Sequence, residues 1–164
     1  MDQKTRRFIQ KIYRNEIKMT LATVRPDGFP QATIVAYAYE GFTLYFACAR
    51  SSQKVRNIRK CNKLSVTIDG KYDAAWKHLN ALSMGAVGEV LSDPQEIRHA
   101  HELLATRFRT MAEMSKEDVA ASAYVKVTPK IVSVLNYNLG FGHSDLVRVT
   151  RDDLSQRWPL RRVA

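Results

Sequence analysis

The chain of 164 residues sets 26 lysines and arginines against 16 acidic residues, a formal charge of +10, with 45% hydrophobic and 26% charged residues. That balance excludes extended disorder and suffices for one domain, residues 1–164, around a single core. The surplus of cations favours anionic partners such as nucleotides, phosphorylated cofactors or nucleic acid, and two cysteines with no C-x-x-C pair, Cys48 and Cys61, exclude a disulfide framework and a structural zinc.

Residues 1–15 are charged throughout, with no apolar signal core, and no uninterrupted apolar run reaches the length of a membrane span. The expectation is a cytoplasmic protein with no membrane partner. In residues 3–17, Phe8, Ile9, Ile12, Tyr13 and Ile17 recur at helical spacing among lysines and arginines. This predicts an amphipathic helix with a solvated basic face. Residues 19–25 and 31–39 are β-rich and flank Pro26-Asp27-Gly28-Phe29-Pro30. Proline presets φ and glycine accepts positive φ, so the two form a hairpin. Glu40-Gly41 is a second turn, leading into a third strand.

Residues 44–63 are the centre of the reading. Leu44-Tyr45-Phe46-Ala47 reads as a buried strand. Small and polar residues, Arg50-Ser51-Ser52-Gln53-Lys54, then lead into a helical pattern with Val55, Ile58 and Arg59 on one face. Ser51 or Ser52 supplies an N-cap hydroxyl. Basic residues stand at 50, 54, 56, 59, 60 and 63, with no acid between them. Hydroxyls, free helix amides and a lysine at the end of a strand make a site for a phosphate or another small dianion. The plainer alternative is a capped, solvated basic helix. Tyr45 and Phe46 lie in an apolar run instead of alternating on an exposed face, so no nucleic-acid partner is expected.

Residues 64–69 alternate as a strand ending in Asp69-Gly70. A stretch with Trp76 follows, then a strand over 81–91 whose Gly85 and Gly88 predict a bend or a close backbone approach. Asp93-Pro94 opens a helix through Ile97, Ala100, Leu104 and Phe108. His99 and His101 stand about 200° apart on it and cannot share a metal, so no metal site is expected. Ser115 to Asp118 resembles a capping box for a short helix. The last strand, 124–135, is interrupted at Pro129. In residues 136–143, Gly140 and Gly142 flank Phe141, which suits a loop approaching a ligand or a partner subunit, and His143 is a candidate donor there. A glycine-rich connector is the alternative. Residues 143–164 read as a basic tail of little periodicity. Six antiparallel strands with inserted helices predict a mainly β protein, a small closed or half-closed barrel.

The order of these pieces resembles the pyridoxamine 5′-phosphate oxidase-like family, the FMN-binding split barrels, over residues 5–137. The resemblance rests on Ala22-Thr-Val-Arg-Pro-Asp-Gly-Phe-Pro-Gln, Thr43-Leu-Tyr-Phe-Ala, Ser51-Ser-Gln-Lys-Val-Arg-Asn-Ile, Leu64-Ser-Val-Thr-Ile, Gly85-Ala-Val-Gly-Glu-Val and the Asp93-Pro94 helix. It implies a six-stranded antiparallel split barrel of Greek-key type, forming a homodimer with two FMN molecules in grooves at the subunit interface. It also implies backbone contacts from Thr33, Ile34, Val35 and Ala36 to the isoalloxazine, and phosphate contacts from Ser52 and Lys54, with Arg50, Ser51 and Gln53 alongside. Cys48 and Ala49 would lie beside the ribityl chain, and Trp76 and Ser83 of the partner would close over the flavin. The activity implied is a flavin oxidoreductase acting on a small molecule, with no side chain identifiable as catalytic acid or base.

The departures are specific. Thr33 stands where the vitamin B6 oxidases carry an arginine, Gln53 replaces the arginine of their Ser-Arg-Lys turn, and the tail has no Arg-x-His element. Vitamin B6 oxidation is therefore not expected. Relatives that take a deazaflavin coenzyme or haem leave those cofactors as alternatives to FMN, and a non-catalytic flavin or haem carrier or sensor, or a deazaflavin-dependent reductase, as the alternative function.

Overall fold

The computed structural model describes residues 1–70 and 79–163. Helix α1 (Gln3–Asn15) begins where an Asp2 carboxylate oxygen accepts from the Thr5 amide at 2.9 Å. It buries Ile9, Ile12 and Tyr13 and leaves Lys4, Arg7, Lys11 and Arg14 in solvent. The helix ends before Ile17, which the spacing had placed on the buried stripe and which is 42% exposed. β1 (Lys18–Val24) and β2 (Pro30–Ala36) form the predicted hairpin. The Gly28 amide donates to the Arg25 carbonyl and the Arg25 amide to Phe29, each at 2.9 Å. Gly28 sits at φ +87°, the left-handed closing position of a three-residue loop.

The chain continues through β3 (Ala38–Glu40), β4 (Thr43–Ala49), α2 (Gln53–Lys60), β5 (Lys63–Asp69) and β6 (Asn80–Val90). Then come α3 (Pro94–Arg107), α4 (Arg109–Ala112), α5 (Lys116–Ala121), β7 (Ser122–Asn136), β8 (Ser144–Arg148) and α6 (Arg151–Leu154). The strands make one antiparallel sheet in the order β2-β1-β5-β6-β7-β4-β3, with β8 pairing the second half of β7. The ends of that path, β2 and β3, are separated in sequence by Tyr37 alone, so the sheet must curl until its ends meet. The result is a half-barrel with several helices, as expected of a split barrel. Its six long strands are the six predicted. β3 breaks from the second segment at Tyr37, and β8 arises in the tail.

Inside, Leu21, Tyr37, Tyr39, Phe42, Phe46, Val66, Leu82 and Val125 pack with Ile9, Ile12 and Tyr13 of α1. Helix α3 closes a second cluster of Tyr45, Leu91, Ala100, Leu104 and Tyr124. Both predicted irregularities are present. The register of β6 against β7 shifts between Gly85 and Ala86, which pair with Ile131 and Pro129 and leave Lys130 as the extra residue. Gly88 lies so close to Leu64 that a β-carbon there would collide with it. Asp93 caps α3 through the Gln95 and Glu96 amides, and Ser115 caps α5 through the Asp118 amide.

The tail is more ordered than its sequence suggests. Thr150 and Asp153 form a capping box on α6, and fully buried Asp153 accepts from Arg6 at 2.9 Å. Trp158 then packs on Phe42 and Tyr13, with centroids 4.4 and 5.8 Å apart, and the Tyr39 hydroxyl donates to the Pro159 carbonyl at 3.1 Å. The Val163 amide donates to the Arg107 carbonyl at 3.0 Å. Arg107 is itself fully buried. Its guanidinium donates to the Tyr13 and Glu16 carbonyls at the end of α1 and stacks on Tyr37 and Tyr39 at 4.9 and 4.8 Å. These anchors tie the C-terminal segment 150–163, a strap across the barrel, to α1 and α3.

Candidate functional site

β4 delivers the chain to α2 through residues 50–52. Ser52 occupies the N-cap position with extended backbone, yet its hydroxyl does not cap the helix; it lies 3.4 Å from the Cys48 thiol. The first-turn amides therefore lack a side-chain acceptor, and the first turn holds no acid. Lys54, half-buried, makes no side-chain hydrogen bond or ion pair among the described residues. The positive end of the helix, first-turn amides with no side-chain acceptor among the described residues and the Lys54 side chain thus belong to one turn of the chain.

Two of the other basic groups, Arg50 and Arg56, have partners of their own. Arg50 donates to the Ala120 and Ser122 carbonyls at 2.9 and 3.2 Å. Arg56 folds back on the Ser51 carbonyl and on Gln53. Arg59 is exposed, and the helix buries Asn57 in the position expected of it. Asn57 was missed because an asparagine beside an apolar stripe carries no periodic signal. Its amide accepts from Gln53 at 2.8 Å and donates to Thr23 Oγ1 and Gln31 Oε1 at 2.9 and 3.1 Å. This network fixes the first turn of α2 against the β1–β2 hairpin.

Among the described residues β2 pairs with β1 alone. The Arg25–Phe29 bond at one end of the hairpin and the Tyr37–Ile17 bond at the other set the alternation. Thr33 and Val35 turn their backbone groups to β1, while Ala32, Ile34 and Ala36 turn theirs to the open edge. The Thr33 hydroxyl is buried without a partner among the described residues, and Ile34 is 68% exposed. The structure thus gathers Cys48, Ser52, Gln53 and Lys54 at the α2 mouth and links them through Asn57 and Gln31 to the strand of Thr33, Ile34, Val35 and Ala36. Ala49, the last residue of β4, and Ser51, in the turn, are exposed. Ser83 is half-buried on β6 opposite Thr67 and Ser133, and no hydrogen bond joins it to the turn among the described residues. Trp76 lies outside the described residues.

The three described histidines do not converge. His99 lies 3.3 Å from Glu40, His101 lies 2.9 Å from the Tyr124 hydroxyl, and His143 lies 3.1 Å from Asp145. The glycine-rich segment is the β7–β8 connection, with Gly140 and Gly142 at positive φ and Phe141 88% exposed.

Three comparisons bear on this architecture. Curated proteins provide no significant match. Among solved structures, a heme binding protein from Mycobacterium smegmatis superposes with a TM-score of 0.71 at 18% identity, over 90% of this chain and 59% of that one. The chain thus spans about three fifths of that protein's length. The conserved hypothetical protein Rv2991 from Mycobacterium tuberculosis gives 0.71 at 19% identity, over 87% and 90% of the two chains. General Stress Protein 26 from Bacillus anthracis gives 0.66 at 16%, over 88% and 98%. At such identities the likeness is one of fold. The sequence profile of the family described as pyridoxamine 5′-phosphate oxidase matches residues 1–136. With that match covering most of the chain and the half-barrel supplying the fold, the chain belongs to the pyridoxamine 5′-phosphate oxidase family.

Proposed function

We propose that the chain binds FMN as a homodimer, with the cofactor at the subunit boundary, and serves as an oxidoreductase on a small molecule other than a B6 vitamer. The observation that carries this reading is the uncapped mouth of α2, where the Ser52 hydroxyl and Lys54 stand with no internal anion to bind. The orphaned Thr33 hydroxyl and the open edge of β2 support it independently, because a planar ring with polar edges fits a strand whose outward backbone groups are unpaired. Ser52 and Lys54 would hold the phosphate, with Ser51 and Gln53 beside them. The backbone of Ile34 and Ala36 would meet the ring. Arg50, one of whose guanidinium nitrogens is tied to carbonyls of α5 and β7, would stand alongside. Bound FMN supplies hydride or single-electron transfer, while the chain binds, orients and shields it. Thr33 and Gln53, standing where the B6 oxidases carry arginines, argue against a phosphorylated vitamer as substrate.

The likeness to a heme binding protein supplies a second reading, with haem at the same boundary. Visible spectra of the purified protein, followed by parallel titrations with FMN, a deazaflavin coenzyme and haemin, separate the readings. Flavin bands that survive gel filtration are expected, at twice the 18.7 kDa chain mass by light scattering. A Soret band with no uptake of FMN transfers the assignment to haem. A monomer that retains FMN removes the shared boundary.

A further inference from the structure

A cavity of about 460 Å³ lies between the second half of α1, the start of β6 and the C-terminal strap. It shares no residue with the α2 mouth or with β2. Phe8, Ile12 and Ile17 give it an apolar wall. Lys11, Arg14, Arg161 and Arg162 stand around it, with Glu16 the one acid among the described lining residues. Four cations thus face one carboxylate. Lys11, Arg14 and Arg162 make no side-chain hydrogen bond or ion pair among the described residues, and Arg161 reaches Asn15 at 3.5 Å.

The two walls come from opposite ends of the chain, and a buried group holds them in place. Arg107 binds the Tyr13 and Glu16 carbonyls through its guanidinium and the Val163 amide through its own carbonyl. The two walls of the cavity are therefore fixed by one buried side chain. Its volume falls within the range of small-molecule sites, roughly 300–1,000 Å³.

We propose that this cavity binds a small amphiphilic organic anion, with its apolar body against Phe8, Ile12 and Ile17 and its head among the arginines. A carboxylate, a sulfonate or a phosphate monoester meets the same requirement, one negative group at the end of an apolar body. A nucleic-acid backbone does not, because it would leave the apolar wall uncovered. The site is independent of the flavin reading and stands or falls without it.

The probe is 1-anilinonaphthalene-8-sulfonate, titrated by fluorescence into the full-length protein, with octanoate, phenyl phosphate and inorganic phosphate as competitors at fixed ionic strength. One saturable site per chain is expected. Octanoate and phenyl phosphate should displace the probe, their relative strength identifying the preferred head group, while inorganic phosphate should not. The surface variant Lys11→Gln/Arg14→Gln/Arg162→Gln should weaken probe binding about tenfold or more. Ile17→Ser should weaken it as well, and Lys54→Ala should leave it unchanged. The proposal is overturned if the probe does not bind or inorganic phosphate displaces it equally. Loss of binding in Lys54→Ala, or its retention in the folded triple variant, overturns it too.

Discussion

Among six basic residues within fourteen positions, Lys54 alone combines a half-buried stem with an unpaired head at the mouth of a helix. Arg50 and Arg56, its neighbours in sequence, spend their guanidinium groups on backbone carbonyls and on Gln53. A charge count over this stretch therefore overstates the cation available to a ligand. Lys54→Ala is predicted to weaken FMN binding by about 1.5–3 kcal/mol, the range for a hydrogen bond to a charged group. Riboflavin, which has no phosphate, should be affected far less. Quenching of flavin fluorescence measures both constants, and equal losses for the two ligands would remove Lys54 from the phosphate.

At the scale of elements, α2 is held by one polar side chain that faces the hairpin. Asn57 is fully buried and joins Gln53 on the first turn to Thr23 on β1 and Gln31 on β2. The phosphate end of the proposed site is thereby tied to the strand proposed to carry the ring. Asn57→Ala leaves the Thr23 and Gln31 oxygens without their donor inside the fold. It is predicted to cost about 1–3 kcal/mol of stability, read as a lower denaturation midpoint, and to weaken FMN binding as the first turn loosens. A lower midpoint with FMN affinity intact would make Asn57 a packing residue only.

The whole molecule is closed by its ends. The strap crosses Gly41, which has φ +56° and no space for a β-carbon beside the Gln156 carbonyl, and its acidic anchor is Asp153. Burial raises the pKa of that carboxyl, but the Thr150 amide, Arg6 and the Thr150 hydroxyl outweigh it and hold the value at about 2, below the ordinary 3.8. A carboxylate depressed in the folded state contributes stability that is complete above about pH 4 and is lost as pH falls towards about 2. The shift corresponds to about 2–3 kcal/mol. Melting temperatures followed from neutral pH down to that window should fall more steeply in the wild type than in Asp153→Asn, which forgoes the contribution at every pH. Parallel curves would locate the acid sensitivity elsewhere.

The sequence by itself determined the six long strands, the Pro26-Asp27-Gly28 hairpin, the caps at Asp93 and Ser115, and the irregularities at Gly85 and Gly88, whereas β7 runs unbroken through Pro129, where an interruption was expected. Each of these is a local matter of side-chain alternation, allowed φ or a hydrogen bond within a few residues. It also singled out the 50–54 turn as the candidate anion site. Only the tertiary structure decided which of that turn's cations remain available, because Arg50 meets carbonyls some seventy residues away. The same holds for Asn57, for Arg107 between Tyr37 and Tyr39, and for the ordered strap, whose contacts are single residues at irregular spacing. Periodicity reports a face that is repeatedly buried. It carries no trace of an isolated polar or aromatic side chain whose partner lies across the barrel.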